Sequence, residues 1–165
     1  MANEETKYDI EGFDLVTSAL LDLVNSFPGL DDEVVGFATL DAENGIAMFP
    51  SSGAVVRVER ESVTGNVHQE CLYPFSVYYR AVGLTENRKI RVKEFLDNLG
   101  RWLEKQLIVI DDTGYVIKDY PPISGERKIT KIARTSPAYQ IQTNNSVEDW
   151  GISLQAHYTN DFERS

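Results

Sequence analysis

The stretch that decides the fold is residues 68–106, HQECLYPFSVYYRAVGLTENRKIRVKEFLDNLGRWLEKQ. Between Phe75 and Val82, apolar or aromatic side chains at the odd positions alternate with a more polar, mixed set at the even positions. This period of two is typical of a strand with one face turned toward a core. Gly83 ends the alternation, and Thr85 can cap a helix because its hydroxyl accepts a first-turn N–H. Apolar residues then recur at intervals of three and four: Val92, Phe95, Leu96, Leu99, Trp102 and Leu103. The stretch therefore predicts a long strand, a short turn and a long amphipathic helix.

Composition bounds the rest of the chain. With 165 residues, 42% hydrophobic and 25% charged, the chain suits one globular domain over residues 1–165 that buries a substantial core. Cys71 is the single cysteine, which excludes an intrachain disulfide and a cysteine-based zinc cluster and is typical of a reducing compartment. No apolar run approaches the ~20 residues that a bilayer requires. We expect a protein made in the cytoplasm that does not contact a membrane.

The net charge of −10 is unevenly distributed. Residues 1–50 contain eleven acids and one base, whereas acids and bases balance in residues 51–165. An acidic surface repels nucleic acid at long range. This pattern disfavours a protein that grips DNA, and it is compatible with a surface along which DNA passes without binding.

The N-terminal third begins with a polar segment, residues 1–8, which we expect to be a flexible arm. Residues 9–27 have apolar side chains at helical spacing and predict the first helix, which ends at Pro28. The apolar runs 34–40 and 46–49 flank an Asn-Gly pair. Because both residues of that pair tolerate positive φ, the sequence predicts a β-hairpin.

The remaining segments indicate an antiparallel sheet. Residues 54–61 alternate and predict a strand paired with the one in the opening stretch. Residues 115–125 contain two prolines and predict a long loop. Residues 139–143 and 150–158 predict a closing antiparallel pair. The expected fold class is therefore α+β: a mostly antiparallel sheet packed by two long helices, with a β-hairpin and long loops.

Candidate catalytic residues are few. The triplet Asp112-Thr113-Gly114 resembles the active-site motif of retroviral-type aspartic proteases, in which two dimer-related aspartates share a proton. That family has Ala or Ser next, where this chain has Tyr115, so a hydrated turn is the favoured interpretation. Neither histidine lies near a Gly-x-Ser-x-Gly elbow, and no glycine-rich phosphate loop exists. We expect no catalytic residues and no enzymatic activity.

A metal site is also disfavoured. On a strand, His68 and Glu70 share a face, while Cys71 points the other way. Because two ligands without a third do not make a site, we expect no metal and no cofactor.

Basic residues cluster where the second helix begins: Arg88, Lys89, Arg91 and Lys93. Cations at a helix start oppose its dipole. The cluster is either a solvated face or a contact with the acidic first third of a neighbouring copy, since a ring of identical subunits requires two different complementary surfaces.

Four segments carry a family resemblance: VHQECLYPFSVYYR at 67–80, FLDNLGRWLE at 95–104, ITKIARTSPAYQ at 129–140 and VEDW at 147–150. In this order they resemble phage head–tail joining proteins, often described as minor capsid proteins, which correspond to tail terminators. The likeness covers roughly residues 9–160.

This resemblance implies a structural virion protein similar to the lambda-type tail terminator. Such a subunit assembles into a ring, usually a hexamer, that caps the tail tube, stops its polymerisation and joins it to the head-completion or connector protein. Genomic DNA would pass through without sequence-specific binding, and the protein would reside in the virion, at the head–tail interface. The alternatives are another phage assembly component, such as a head-completion or tail-tube protein, and an aspartic-protease-like enzyme. In a ring, we expect five acids to face the channel: Asp31, Asp32, Glu33, Asp41 and Glu43.

Overall fold

The computed structural model describes residues 5–123, 125–144 and 146–164. Its two α-helices are α1, Ile10–Asn25, and α2, Glu86–Leu103. Each has a side-chain cap: an Asp9 carboxylate oxygen accepts from the Gly12 N–H, and the Thr85 hydroxyl accepts from the Arg88 N–H. Both helices were predicted from their apolar period. The Thr85 cap is confirmed.

Strands make up most of the remaining ordered structure. In chain order they are β1 Lys7–Tyr8, β2 Val35–Phe37, β3 Gly45–Pro50, β4 Val55–Glu61, β5 Asn66–Val82, β6 Ile108–Ile110, β7 Thr113–Tyr115, β8 Arg127–Arg134, β9 Tyr139–Asn144 and β10 Val147–Glu163. A 3₁₀ turn, Pro28–Leu30, follows α1.

Two long strands, β5 and β10, form the spine of the main sheet and pair antiparallel along 17 residues each. The outer edge of β5 is covered by β4 along one half and by β3 along the other. The outer edge of β10 is covered in the same way by β8 and β9. Short strands extend one side, where β1 pairs with β4 and β2 with β3. A separate small sheet consists of β6 and β7.

Both helices pack on the same face of this sheet. Tyr73, Phe75 and Val77 of β5 point toward the helices and are fully buried, as are Ile152 and Leu154 of β10. Alternate residues of the two strands point to the opposite face. No helix or strand of the described chain covers that opposite face, which we call the open face.

The expected fold class is wrong. Strand accounts for 45% of the structure and helix for 24%, so the chain is a mostly antiparallel β-sheet protein that carries two helices. Sequence periodicity underestimated the strands because β10 runs from Val147 to Glu163, well beyond the alternating segment 150–158, and because β6, β7 and β1 are too short to show a period.

The predicted β-hairpin is also wrong, because β2 and β3 pair in parallel. A two-residue type I′ turn needs positive φ at both central residues, and here only Gly45 has it, with φ 133°, whereas Asn44 does not. The chain instead turns at Ala38, whose φ is 52°, and returns before β3 starts. Residues 38–44 can span up to ~23 Å, enough to run back along a three-residue strand of ~10 Å.

The predictions on strand pairing, on the long loop and on the N-terminal arm have different outcomes. The pairing of β4 with β5 and of β9 with β10 is confirmed. In the region of the predicted long loop, the described residues 116–123 form no helix or strand. Residues 1–4 of the expected arm lie outside the described residues, while Lys7 and Tyr8, also assigned to that arm, form β1 against β4.

Candidate functional site

A groove of about 590 Å³ lies between the turn after α1 and the first half of α2. Its floor is apolar and includes Tyr79 and Phe95. One wall carries three of the predicted channel acids and the other carries two of the predicted interface bases: Asp31, Asp32 and Glu33 against Arg88 and Arg91. The structure therefore brings together, inside one subunit, residues that the sequence suggested would meet between subunits.

The pKa of the Tyr79 hydroxyl is affected by residues of both walls. Burial raises the pKa of the Tyr79 hydroxyl, Glu33 raises it further and Arg88 lowers it. Glu33 and Arg88 therefore both lie close enough to the Tyr79 hydroxyl to shift its pKa, in opposite directions. Neither forms an ion pair with any residue that the structure describes, so the walls are near each other but are not bridged.

The basic cluster of α2 divides into two sets. Arg88 and Arg91 face the groove, whereas Lys89 turns toward the sheet, where its Nζ lies 3.4 Å from Oε1 of the buried Glu148. Lys93 pairs with Asp97 one turn later, at 2.8 Å. Glu86 in the first turn offsets part of the dipole cost of these cations. Contact between this cluster and a neighbouring copy stays a prediction.

The other two predicted channel acids, Asp41 and Glu43, lie in the exposed loop between β2 and β3. Arg80 donates from Nη1 to the Asp41 carbonyl oxygen at 3.1 Å. Glu33 of the acidic turn and Asn44 of the loop both line a smaller cavity of about 370 Å³. The acidic turn and the β2–β3 loop therefore lie side by side at one end of the sheet, and whether they face a channel stays a prediction.

Sequence reasoning missed a buried polar network at the other end of the sheet. Arg127 donates to Asp9 from Nη2 at 2.7 Å and from Nε at 2.9 Å, and the Tyr158 hydroxyl donates to the same carboxylate at 2.7 Å. Burial alone raises the pKa of Asp9, but these hydrogen bonds outweigh it and hold that pKa below its ordinary value. Burial also raises the pKa of Tyr158 strongly. Both Asp9 carboxylate oxygens and the Tyr158 hydroxyl have partners, so the network joins α1 to β8 and β10 and leaves neither Asp9 oxygen free for chemistry.

Sequence reasoning also missed a group of cations on the open face. Lys131 of β8 is directly opposite His157 of β10, Lys128 is opposite Thr159, and Arg57 projects from a bulge in β4. Burial lowers the pKa of His157, and Lys131 and Arg57 lower it further. The strand alternation in 54–61 and 150–158 could have signalled the shared face, but strand order is needed to place three strands side by side.

The protease-like triplet occupies the β6–β7 hairpin. Asp111 and Asp112 form its exposed turn with φ of 50° and 66°, and Thr113 begins β7. A shared-proton pair of aspartates requires a buried, dimer-related cleft. The local geometry is that of a hydrated turn.

The candidate metal ligands also have other contacts. The His68 Nδ1 lies 2.6 Å from Asp161 Oδ1, and its Nε2 lies 3.8 Å from Glu70 Oε1. Cys71 is buried on the opposite face. Within the described ranges, no cluster of three or more His, Cys, Asp or Glu side chains could hold a metal ion.

None of the helices in the described part of the chain is both long and apolar enough to span a membrane. No protein-family model matches this sequence, and no curated protein sequence is significantly similar to it.

Proposed function

We propose that this chain is a structural subunit of a phage tail, a tail terminator that forms a ring on the finished tail tube. The ring stops tube polymerisation and joins the tube to the head connector. One observation carries the proposal: the four segments that resemble that family occupy the organising elements of the fold. They fall on β5, on α2, on β8 with the start of β9, and on the start of β10.

The character of the surfaces supports this proposal. The buried titratable groups are engaged with one another, as in the Asp9–Arg127–Tyr158 network, and the nucleophile Cys71 is enclosed in the core. A ring subunit acts through shape and charge rather than through catalysis. The proposed function therefore requires no enzymatic activity and no cofactor.

The charge distribution supports passage of DNA. The predicted channel acids are grouped at one end of the sheet, around the turn of Asp31 and the loop of Asp41. A wall of carboxylates keeps a phosphate backbone in solution rather than binding it. The proposed partners are other copies of the chain, a hexamer by the family resemblance, together with the tail-tube and connector proteins at the head–tail interface of the virion.

Electron microscopy tests the proposal. The purified protein is imaged alone and after mixing with tail tubes assembled from the tube protein of the same genome. A terminator produces single rings and caps on tube ends, and it limits tube length when it is added during polymerisation. Long tubes from the protein alone would instead indicate a tail-tube subunit. Tubes that neither gain caps nor stop growing would refute the terminator function.

A further inference from the structure

The open face carries an unpaired basic patch, which consists of Arg57, Lys128 and Lys131. All three are exposed, and none forms an ion pair with another residue of the described chain. The patch surrounds His157, and half-buried Leu72 and Pro74 lie beside it. The chain has a net charge of −10. In such a protein, an exposed group of unpaired cations next to apolar side chains indicates a contact surface.

The opposite side of the molecule carries the complementary charge. The solvent side of α1 is one stripe at helical spacing that includes Glu11, Asp14 and Asp22, all exposed and without an ion pair among the described residues. Ile10, which is 81% exposed, begins this stripe. We call this surface the acidic stripe. Because the inner side of α1 packs on Tyr73, the stripe points away from the sheet.

The spacings of the two surfaces agree. Asp14 and Asp22 are eight residues apart on a helix, which is ~12 Å. Arg57 and Lys131 project from β4 and β8, which are three strand spacings apart across β5 and β10, or ~14 Å. A helix laid across the strands of the open face would therefore set two carboxylates near two cations.

We propose that the acidic stripe of one copy docks on the basic patch of the next, so that copies of this chain associate head to tail. The contact is heterologous, since the two surfaces are different and lie on opposite sides of the subunit, and such contacts generate rings when the rotation closes. That the ring closes rests on the proposed function. The contact adds to that function the two surfaces that join neighbouring subunits. It lies on the open face rather than at the start of α2.

A second copy fits the patch better than a nucleic acid does. Two carboxylates, Glu70 and Asp161, occupy the same face on either side of His68. They would repel a phosphate backbone, whereas a helix stripe can present its acids to the cations alone. The −10 charge of the whole chain also opposes the approach of DNA.

Charge swapping tests the contact. Sedimentation velocity at low salt compares the wild type with Arg57→Glu/Lys131→Glu, with Asp14→Lys/Asp22→Lys and with the combined variant. The wild type is expected to associate, and more weakly as salt rises. Each double variant should lose association by about tenfold or more, because like charges then face each other. The combined variant should recover it, since its charges are exchanged rather than lost. Circular dichroism checks that every variant is folded.

Mixing the two double variants tests the head-to-tail geometry. The intact stripe of one variant meets the intact patch of the other, and the two reversed surfaces also carry opposite charges, so the mixture should associate with the two variants in alternation, although neither variant associates alone. The matched control is Arg88→Glu/Arg91→Glu, which changes the charge equally and should leave association unchanged because those arginines face acids of their own subunit.

Four results would overturn the inference. They are a wild type that stays monomeric at low salt and high concentration, a combined variant that does not recover, dissociation caused by the Arg88/Arg91 control alone, and binding of a short fluorescent DNA duplex to the patch in place of a second copy. The proposed function fails separately. Tail tubes left uncapped by a protein that passes the charge swap refute the terminator, and tubes that are still capped by the Arg57/Lys131 reversal variant refute only this contact.

Discussion

Asp9 and Arg127, which lie 118 residues apart in the chain, are joined by two hydrogen bonds inside the protein. The Tyr158 hydroxyl donates to the same carboxylate. Asp9 is also the N-cap of α1, Arg127 begins β8 and Tyr158 lies in β10. This one carboxylate therefore ties the start of the first helix to the strands formed by the last third of the chain.

Removing the charge of Asp9 should destabilise the protein severely. Asp9→Asn leaves the Arg127 guanidinium, only 11% exposed, without its counter-ion. An uncompensated buried charge costs about 3 kcal/mol. Urea unfolding should show that loss in the free energy of unfolding. Lys93→Ala serves as a control, since its pair with Asp97 is exposed and within one helix, and should cost under ~0.5 kcal/mol. Equal losses in the two variants would contradict the network.

The same carboxylate should make stability depend on acid pH. The folded pKa of Asp9 is held below its ordinary 3.8, so the unfolded state binds the proton more tightly and stability rises with pH across that window. The contribution is complete above the unfolded pKa and disappears as pH falls through the lowered folded pKa. The difference in unfolding free energy between wild type and Asp9→Asn should shrink between about pH 5 and about pH 2. A difference independent of pH would show that folding does not lower the pKa of Asp9.

Asn25 should protect the edge of the sheet. Its amide accepts from the Val35 N–H at 2.8 Å and donates to the Val35 carbonyl at 3.0 Å, so it takes the place of a neighbouring strand along β2. Asn25→Ala should cost about 1 kcal/mol and speed hydrogen exchange at the Val35 amide. Asn25→Asp keeps the acceptor but loses the donor, and it puts a negative charge at the end of α1, so it should not rescue the protection. Slow exchange at Val35 in both variants would rule out this role.

Cys71 should be inert in the folded protein. The thiol is 2% exposed, and burial raises its pKa to about 11. At pH 8 about one thiol in a thousand would be ionised, and it would not be accessible to a reagent. Ellman's reagent should modify native protein at least about 100-fold more slowly than urea-unfolded protein. Equal rates would mean that this part of the core opens readily.

The predictable parts of the fold are those encoded by neighbouring residues. The period of Val92, Leu96, Leu99 and Leu103 placed α2 correctly, since those side chains meet on one face of a helix in any tertiary context. The alternation around Phe75 placed β5 for the same reason. The Asn44-Gly45 pair led to the wrong prediction of a β-hairpin. A local turn preference contributes little compared with the burial of Val35 and its hydrogen bonds to Asn25, which hold β2 parallel to β3.

The candidate surfaces were only half predictable. The sequence showed that Arg88 and Arg91 cluster and that Asp31 to Glu33 are acidic, but not that they share one groove. The basic patch was invisible as a group because Arg57 and Lys131 are separated by 73 positions of unrelated sequence and meet only through the strand order β4-β5-β10-β8.

For this protein, the sequence alone determined the two helices, the long central strand, the solitary cysteine and the concentration of acid in the first fifty residues, because composition and short-range period do not depend on what packs where. Only the tertiary structure decided which strands pair, which face of the sheet stays open and which distant side chains meet at Asp9. These outcomes rest on contacts between residues far apart in the chain, where burial and hydrogen bonding outweigh local preference.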